Sequence, residues 1–222
     1  MTTISAPEAY RLWADTYDLN PNPLVALEHR VLSKYLDLVP GERFLDLATG
    51  TGRWLEHAIS HGLRAAGVDL CWEMLAIASR KGGIRGRLAC ANICALPFAS
   101  DSVDLAVCSF ALGYVDRLDS AFREMSRIAR RIITSDLHPD AIRSGWIRSF
   151  RTGSKTYEIE HHDYLRSQIE AAAWAAGLRP VWMLEASFGE PERPLFEQAG
   201  KAKAFFATQQ VPAILLYSWV HK

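Results

Sequence analysis

The run Phe44-Leu45-Asp46-Leu47-Ala48-Thr49-Gly50-Thr51-Gly52-Arg53 decides the fold of this chain. Its first residues form a short, continuous apolar stretch, the pattern of a strand buried on both faces. Gly50-Thr51-Gly52 then supplies a tight turn, and the residues from Gly52 to His61 carry the period of a helix. A second apolar strand, Ala65-Ala66-Gly67-Val68-Asp69, ends in an acid 23 residues after Asp46. The glycines let a backbone approach a ligand without a Cβ in the way. The helix start offers unpaired N–H groups, and a strand-ending carboxylate can accept both hydroxyls of a ribose.

The same spacing argues against two ligand classes. A dinucleotide turn needs G-x-G-x-x-G, and no third glycine follows Gly52 at that distance. A phosphate-cradling G-x-x-x-x-G-K-[ST] loop occurs nowhere. Asp46, just before the turn, would repel a phosphate and welcome an ammonium. A ribose joined to an amino-acid tail describes S-adenosylmethionine.

Further blocks follow in order. Gly67-Val68-Asp69-Leu70-Cys71-Trp72-Glu73-Met74-Leu75 reads as a strand and the following helix, and Asn92-Ile93-Cys94-Ala95-Leu96-Pro97-Phe98 precedes Asp101-Ser102-Val103-Asp104. Together with the glycine turn, these blocks resemble the class I S-adenosylmethionine-dependent methyltransferases of the small-molecule, ubiquinone/menaquinone-biosynthesis type. The matched blocks lie between about Phe44 and Leu137, and Tyr10, Trp13, Ala14, Tyr17 and Asp18 form a fainter N-terminal echo. The resemblance implies an α/β fold with a doubly wound, seven-stranded, mostly parallel sheet whose last strand is antiparallel. It implies S-adenosylmethionine as cofactor, with S-adenosylhomocysteine as product. It places the cofactor against Tyr17, Asp46, Ala48, Thr49, Gly50, Gly52, Asp69, Leu70, Met74, Asn92, Ile93 and Ser109. Two departures stand out. Asn92 takes the place of a usual Asp that accepts from the adenine amino group, a bond an amide oxygen can also accept. The Pro-Gly-Gly turn before the fifth strand is missing, since Ile128-Ala129-Arg130-Arg131 runs almost directly into Ile132.

Each reading has a plainer rival. Asp69 could cap the helix starting near Cys71, Asn92 could be a turn residue, Ile93 could be core, and Tyr17 could be a lid or a helix staple. The spacing favours the ligand reading of Asp69 and Asn92. His138, directly after Ser135-Asp136-Leu137, is placed to approach a transferring methyl and to act as a general base. His161 and His162 are further candidates, with Asp163 positioned to cap the next helix. Plain loop or surface roles compete for all three.

At 222 residues the chain suits one domain, 1–222, with a substantial core. The net formal charge is zero and 49% of residues are apolar, which gives no electrostatic reason to bind nucleic acid or an anionic membrane. No Asn-Pro-Pro-Tyr type motif follows Val107-Cys108, which counts against a nucleic-acid base as acceptor. No apolar run reaches the ~18 residues of a membrane helix, and no N-terminal signal pattern occurs. Cys90 and Cys94 lack a partner pair at ligand spacing, so no metal site is expected and the four cysteines suit a reducing cytoplasm. A homodimer stays open.

Periodicity predicts helices over 5–17, 24–38, 52–61, 72–80, 119–130 and 163–176. Strands are expected over 43–47, 64–69, 86–90, 103–108, 131–136, 179–185 and 211–220, with a break at Asn20-Pro21-Asn22-Pro23. Residues 1–40 read as an N-terminal helical cap, and 137–162 and 187–210 as irregular substrate-side insertions. Both insertions leave carboxyl ends of strands, where open α/β sheets bind ligands. They also carry His138, Trp146, Tyr157, His161, His162, Phe188 and Phe196. The reading is methyl transfer by in-line displacement to a small O-, N- or C-nucleophile. A methyltransferase acting on RNA or protein, a non-methylating cofactor-binding protein on the same scaffold and a nicotinamide dehydrogenase are the rivals.

Overall fold

The computed structural model describes residues 1–19 and 22–222, so the Asn20-Pro21 part of the expected break lies outside the described residues. The chain opens with β1 (Thr2–Ile4), α1 (Ala6–Trp13) and a 3-10 segment over Ala14–Leu19. α2 (Pro23–Leu32) starts where Asn22 Oδ1 accepts from Leu24 N at 3.0 Å and Pro23 takes the first helical position. It stops short of the expected Leu38, and Asp37 sits in the left-handed region at φ 45°. Alternation then sets in: β2 (Arg43–Leu47), α3 (Arg53–Ser60), β3 (Arg64–Asp69), α4 (Trp72–Ala78), β4 (Leu88–Cys90), β5 (Val103–Ser109), α5 (Leu118–Ile128) and β6 (Ala129–Leu137). The strand β6 follows α5 without a loop, the structural form of the missing Pro-Gly-Gly turn.

The seven-stranded sheet runs β4-β3-β2-β5-β6-β10-β9, where β9 is Leu178–Ala186 and β10 is Ile214–His221. Every adjacent pair is parallel except the two made by β10, which is antiparallel to both β6 and β9. The strands alternate between two apolar layers. Phe44, Leu105, Val107 and Ile133 pack with Leu27, Trp54 and Leu55 of α2 and α3. Leu45, Leu47, Ala106 and Cys108 pack with Phe122 and Met125 of α5 and with Ile169 and Ala173 of α7 (Arg166–Ala175). Two-sided burial is why these strands read as apolar runs rather than alternating ones.

The two insertions differ from expectation. Segment 137–162 is structured: α6 (Pro139–Arg143) is followed by the hairpin β7 (Ser149–Thr152) and β8 (Lys155–Ile159), which turns on Gly153 at φ 58°. β1 adds to β8 in parallel, making a three-stranded second sheet over a small cluster of Ile4, Ala9, Phe150 and Ile159. Segment 187–210, with α8 (Arg193–Gln198) and α9 (Ala202–Thr208), turns away to the α2 face. Phe188, Phe196 and Phe205 join the layer under α2. Buried Glu192 accepts from Arg30 Nε at 2.6 Å and Nη2 at 3.0 Å. Trp146 stacks on Phe188 there, with ring centroids 5.8 Å apart.

Candidate active site

A cavity of about 1060 Å³ opens at the carboxyl ends of β2, β3 and β5. Its volume is at the upper end for small-molecule sites, enough for two ligands side by side. The glycine turn forms one end. Thr49 Oγ1 donates to Asp46 Oδ2 at 2.6 Å, and Leu55 N donates to the same oxygen at 3.1 Å, so Asp46 holds the turn and the first turn of α3 together. Burial raises the Asp46 carboxyl to about 7, partly offset by Thr49 and the Arg53 charge. Gly50, at φ 56°, lines the cavity. Gly52 does not line it. It is the residue before α3 at φ 87°, and a Cβ there would stand 2.7 Å from Ile84 Cδ1. Its requirement for glycine comes from the turn and the core, not from approach to a ligand.

Gly67 explains itself in the same way. A Cβ on this β3 residue would meet Thr49 Oγ1 at 2.8 Å and Leu55 Cδ2 at 3.0 Å. The turn therefore folds back against a bare strand.

Asp69 makes the capping bond and also borders the cavity. Its Oδ1 accepts from Cys71 N at 2.8 Å, the capping bond, while Oδ2 accepts from Gly50 N at 2.7 Å across the turn. The carboxylate borders the cavity with lone pairs left for a diol. Burial raises its pKa, and the bonds from Cys71 and Gly50 pull it back. Asn92 Oδ1 accepts from Cys94 N at 2.8 Å, a turn bond that leaves its second lone pair free. Ala48, Thr49, Leu70, Met74, Ile93 and Ser109 line the cavity as well. An acid at the end of β3, an amide at Asn92, flat apolar walls from Leu70, Met74 and Ile93, and a carboxyl beside the turn line one cavity, a set of groups that fits S-adenosylmethionine.

The other end is aromatic. Tyr10, Trp13 and Tyr17 from the N-terminal segment and Tyr114 after β5 line it. Trp13 meets Tyr17 edge to face at 4.7 Å and stacks on Phe150 at 4.9 Å. Tyr10 Oη donates to Tyr114 Oη at 3.2 Å. Burial raises the Tyr17 phenol to about 12, so it stays a neutral donor.

The three histidines separate. His138 is buried and does not line the cavity. It precedes α6, its Nδ1 accepting from Asp140 N at 3.0 Å, and its Nε2 lies 3.4 Å from Glu185 Oε1. The short helix α6 turns the residue away from the sheet edge, so the expected position beside a reacting methyl is not realised. His161 and His162 do border the cavity. His161 Nδ1 donates to Ile159 O at 2.9 Å, with Nε2 3.2 Å from Asp163 Oδ1. His162 Nε2 donates to Asp116 Oδ1 at 2.9 Å. None of 187–210 lines the cavity.

The structure adds residues that sequence reasoning missed. Glu28 on α2 is fully buried, and Arg53, the first residue of α3, pairs with it at 2.5 Å and lines the cavity floor. The available sign was an acid on the apolar face of α2, among Leu24, Leu27 and Val31. Among the described residues, no group of three His, Cys, Asp or Glu is arranged to hold a metal, and no helix is long and apolar enough to cross a membrane.

A parallel sheet with one antiparallel strand, a glycine turn after β2 and an acid ending β3 are the features of the class I methyltransferase fold. Residues 45–132 match the methyltransferase domain family. A demethylmenaquinone methyltransferase of Renibacterium salmoninarum is 34% identical over 101 residues, 46% of this chain and 42% of the relative. The ubiquinone/menaquinone biosynthesis C-methyltransferase UbiE of Xanthomonas campestris is 36% identical over 138 residues, 55% of this chain and 53% of the relative. The chain thus spans about half the length of these curated relatives. The crystal structure of an S-adenosylmethionine-dependent methyltransferase from Mesorhizobium loti superposes with a TM-score of 0.68 at 23% identity, covering 90% of this chain and 100% of that one. At that identity the likeness is one of fold. Fold and family match agree on a methyltransferase domain over residues 45–132 within a class I methyltransferase fold, and the curated relatives it resembles are of the ubiquinone/menaquinone type.

Proposed function

We propose that this chain methylates a small molecule carrying a flat ring, using S-adenosylmethionine as donor. The observation that carries the reading is the single cavity that joins Gly50, Asp69 and Asn92 to the aromatic end at Tyr10, Trp13, Tyr17 and Tyr114. The cofactor, when bound, supplies an electrophilic sulfonium methyl and leaves as S-adenosylhomocysteine. The protein's work is then alignment and exclusion of water. Asp69 takes the ribose hydroxyls, Asn92 and Ile93 the adenine, and Gly50 with Asp46 the amino-acid tail. The aromatic side chains seat the acceptor ring in line with the methyl. The named relatives act on menaquinone or ubiquinone precursors by name, and a flat ring suits these walls.

Of the candidate bases, His162 has its Nε2 proton committed to Asp116, which leaves Nδ1 as its acceptor nitrogen. It serves where an acceptor must lose a proton. An acceptor that arrives as an anion needs no base.

Calorimetric titration with S-adenosylmethionine, S-adenosylhomocysteine and NAD tests the reading. Both adenosyl ligands are expected to bind and NAD is not. Asp69→Ala should weaken them roughly a hundredfold, having lost a charged acceptor that also holds Gly50 and Cys71. Folded native protein that binds neither adenosyl ligand would overturn the proposal.

A further inference from the structure

The floor of the cavity is built from strand register. Ser109 and Ser135 are directly paired on β5 and β6, and alternation along the strands turns both toward α2. There Glu28 Oε1 accepts from Ser109 Oγ at 2.7 Å and from Ser135 Oγ at 2.5 Å. Its Oε2 accepts from Arg53 Nη2 at 2.5 Å, and Trp54 Nε1 donates at 3.2 Å. A buried carboxylate with four donors aimed at it has little left to offer a ligand. Its effect is to fix Arg53.

Arg53 is fixed on other sides too. Its guanidinium carbon lies 4.6 Å from the Trp54 ring centroid, and Nη2 also reaches Ser109 Oγ at 3.2 Å. Nη1 is enclosed and has no partner among the described residues. The side chain as a whole is 29% exposed, on the cavity floor between the glycine turn and the aromatic wall. Nη1 itself is closed off, so the part of Arg53 open to a ligand is the exposed remainder of the side chain, a braced cation on the cavity floor that can take a ligand oxygen by a charge-assisted bond. Ser109 ends β5 at the middle of the sheet, beside the turn expected to hold the reacting end of the cofactor.

We propose that Arg53, braced by Glu28, takes an oxygen of the methyl acceptor and selects acceptors that carry an oxyanion (carboxylate, phenolate or enolate) on a flat ring. This rests on the methyl-transfer reading of the same cavity. Arg53 is the positioning group: its N–H donors orient the oxygen while Tyr17 and Tyr114 bracket the ring. A phenolate or enolate acceptor gives an electron pair to the methyl carbon as the carbon–sulfur bond breaks, and that bond's pair stays on sulfur as a neutral thioether. Where a ring carbon is the nucleophile, its proton leaves afterwards to water. No protein base is required in the first step.

The test uses 2-naphthoate and 2-naphthamide, nearly isosteric probes that differ in charge, titrated into the whole chain with and without saturating S-adenosylhomocysteine. Native protein should prefer the naphthoate roughly tenfold, the scale of a charge-assisted bond over a neutral one. Arg53→Gln should erase the preference with S-adenosylhomocysteine affinity retained. Arg53→Lys keeps the cation opposite Glu28, guards against misfolding, and should leave an intermediate preference because an ammonium lacks the guanidinium fork. Equal binding of the two probes, binding of neither, or a preference that survives Arg53→Gln would overturn the proposal. A naphthoate preference that depends on Arg53 in protein that binds no adenosyl ligand would uphold the oxyanion site while the methyl-transfer reading falls.

Discussion

The two ends of the cavity are held by different kinds of bond. At the turn end most bonds are short in sequence or run to backbone: Thr49 to Asp46 across three residues, Asp69 to Cys71 across two, Asp69 to Gly50 across 19. A longer side-chain tie joins Thr51 Oγ1 to Asp18 across 33. At the acceptor end they join side chains far apart: Tyr10 with Tyr114 across 104 residues, Glu28 with Ser135 across 107. A substitution breaks bonds at either end, but at the turn end Asp46 and Asp69 hold backbone N–H groups of Leu55, Gly50 and Cys71, whereas at the acceptor end both partners are side chains. The turn end is therefore built to keep one ligand, and the acceptor end is the part that can change its chemistry.

The largest effect that would sharpen this contrast is expected at Glu28. Glu28→Ala orphans Ser109, Ser135, Trp54 and the Arg53 guanidinium at once, and should cost about 3–5 kcal/mol in urea unfolding, as broken buried pairs do. A cost below that of an ordinary surface change would mean that the acceptor end is not held by side chains. Gly67→Ala tests the turn end, where the added Cβ presses Thr49 and Leu55 apart. About 1–3 kcal/mol is expected, with weaker S-adenosylhomocysteine binding because Thr49 no longer holds Asp46.

Asp46 gives a pH signature. Its folded value, about 7, lies above the ordinary 3.8, so between those two values the native state holds more protons than the unfolded state. Stability should fall as pH rises through that window, and Asp46→Asn should flatten the fall. An ammonium bound beside Asp46 favours its charged form, so below pH 7 ligand binding should release part of a proton. Calorimetry in buffers of different ionisation enthalpy detects this release, and equal heats in all of them would remove Asp46 from the tail site. The smallest effect falls outside both ends. His138→Ala should cost about 1 kcal/mol, the loss of one helix cap, with S-adenosylhomocysteine affinity unchanged in the same titration.

The contrast also explains what could be read in advance. The turn end is legible because its constraints are local: Gly50, Asp69 and Asn92 announce themselves through spacing. The same locality made Gly52 misleading, since a left-handed turn packed on Ile84 and an approach to a ligand ask for the same residue. His138 misled for a different reason. Its place after β6 was right, but α6 begins immediately and takes its imidazole into a cap. The pairing of Ser109 with Ser135 under Glu28 depends on strand order, which one sequence does not spell out. The β7–β8 hairpin was within reach, because Phe150 and Tyr157 flank a Gly153-Ser154 turn, a common hairpin pattern.

Gly52 and Arg53 are consecutive residues, yet one shapes the turn proposed to face the adenosyl ligand and the other lines the cavity where the acceptor is proposed to sit. On the proposed reading, a turn that settles around its ligand moves the backbone of Arg53 against a guanidinium that Glu28 and Ser109 hold. On that reading occupancy of one end is expected to be coupled to occupancy of the other, and such coupling is reciprocal. An acceptor that engages Arg53 should tighten the hold on the methyl donor by the same factor that the donor tightens the hold on it.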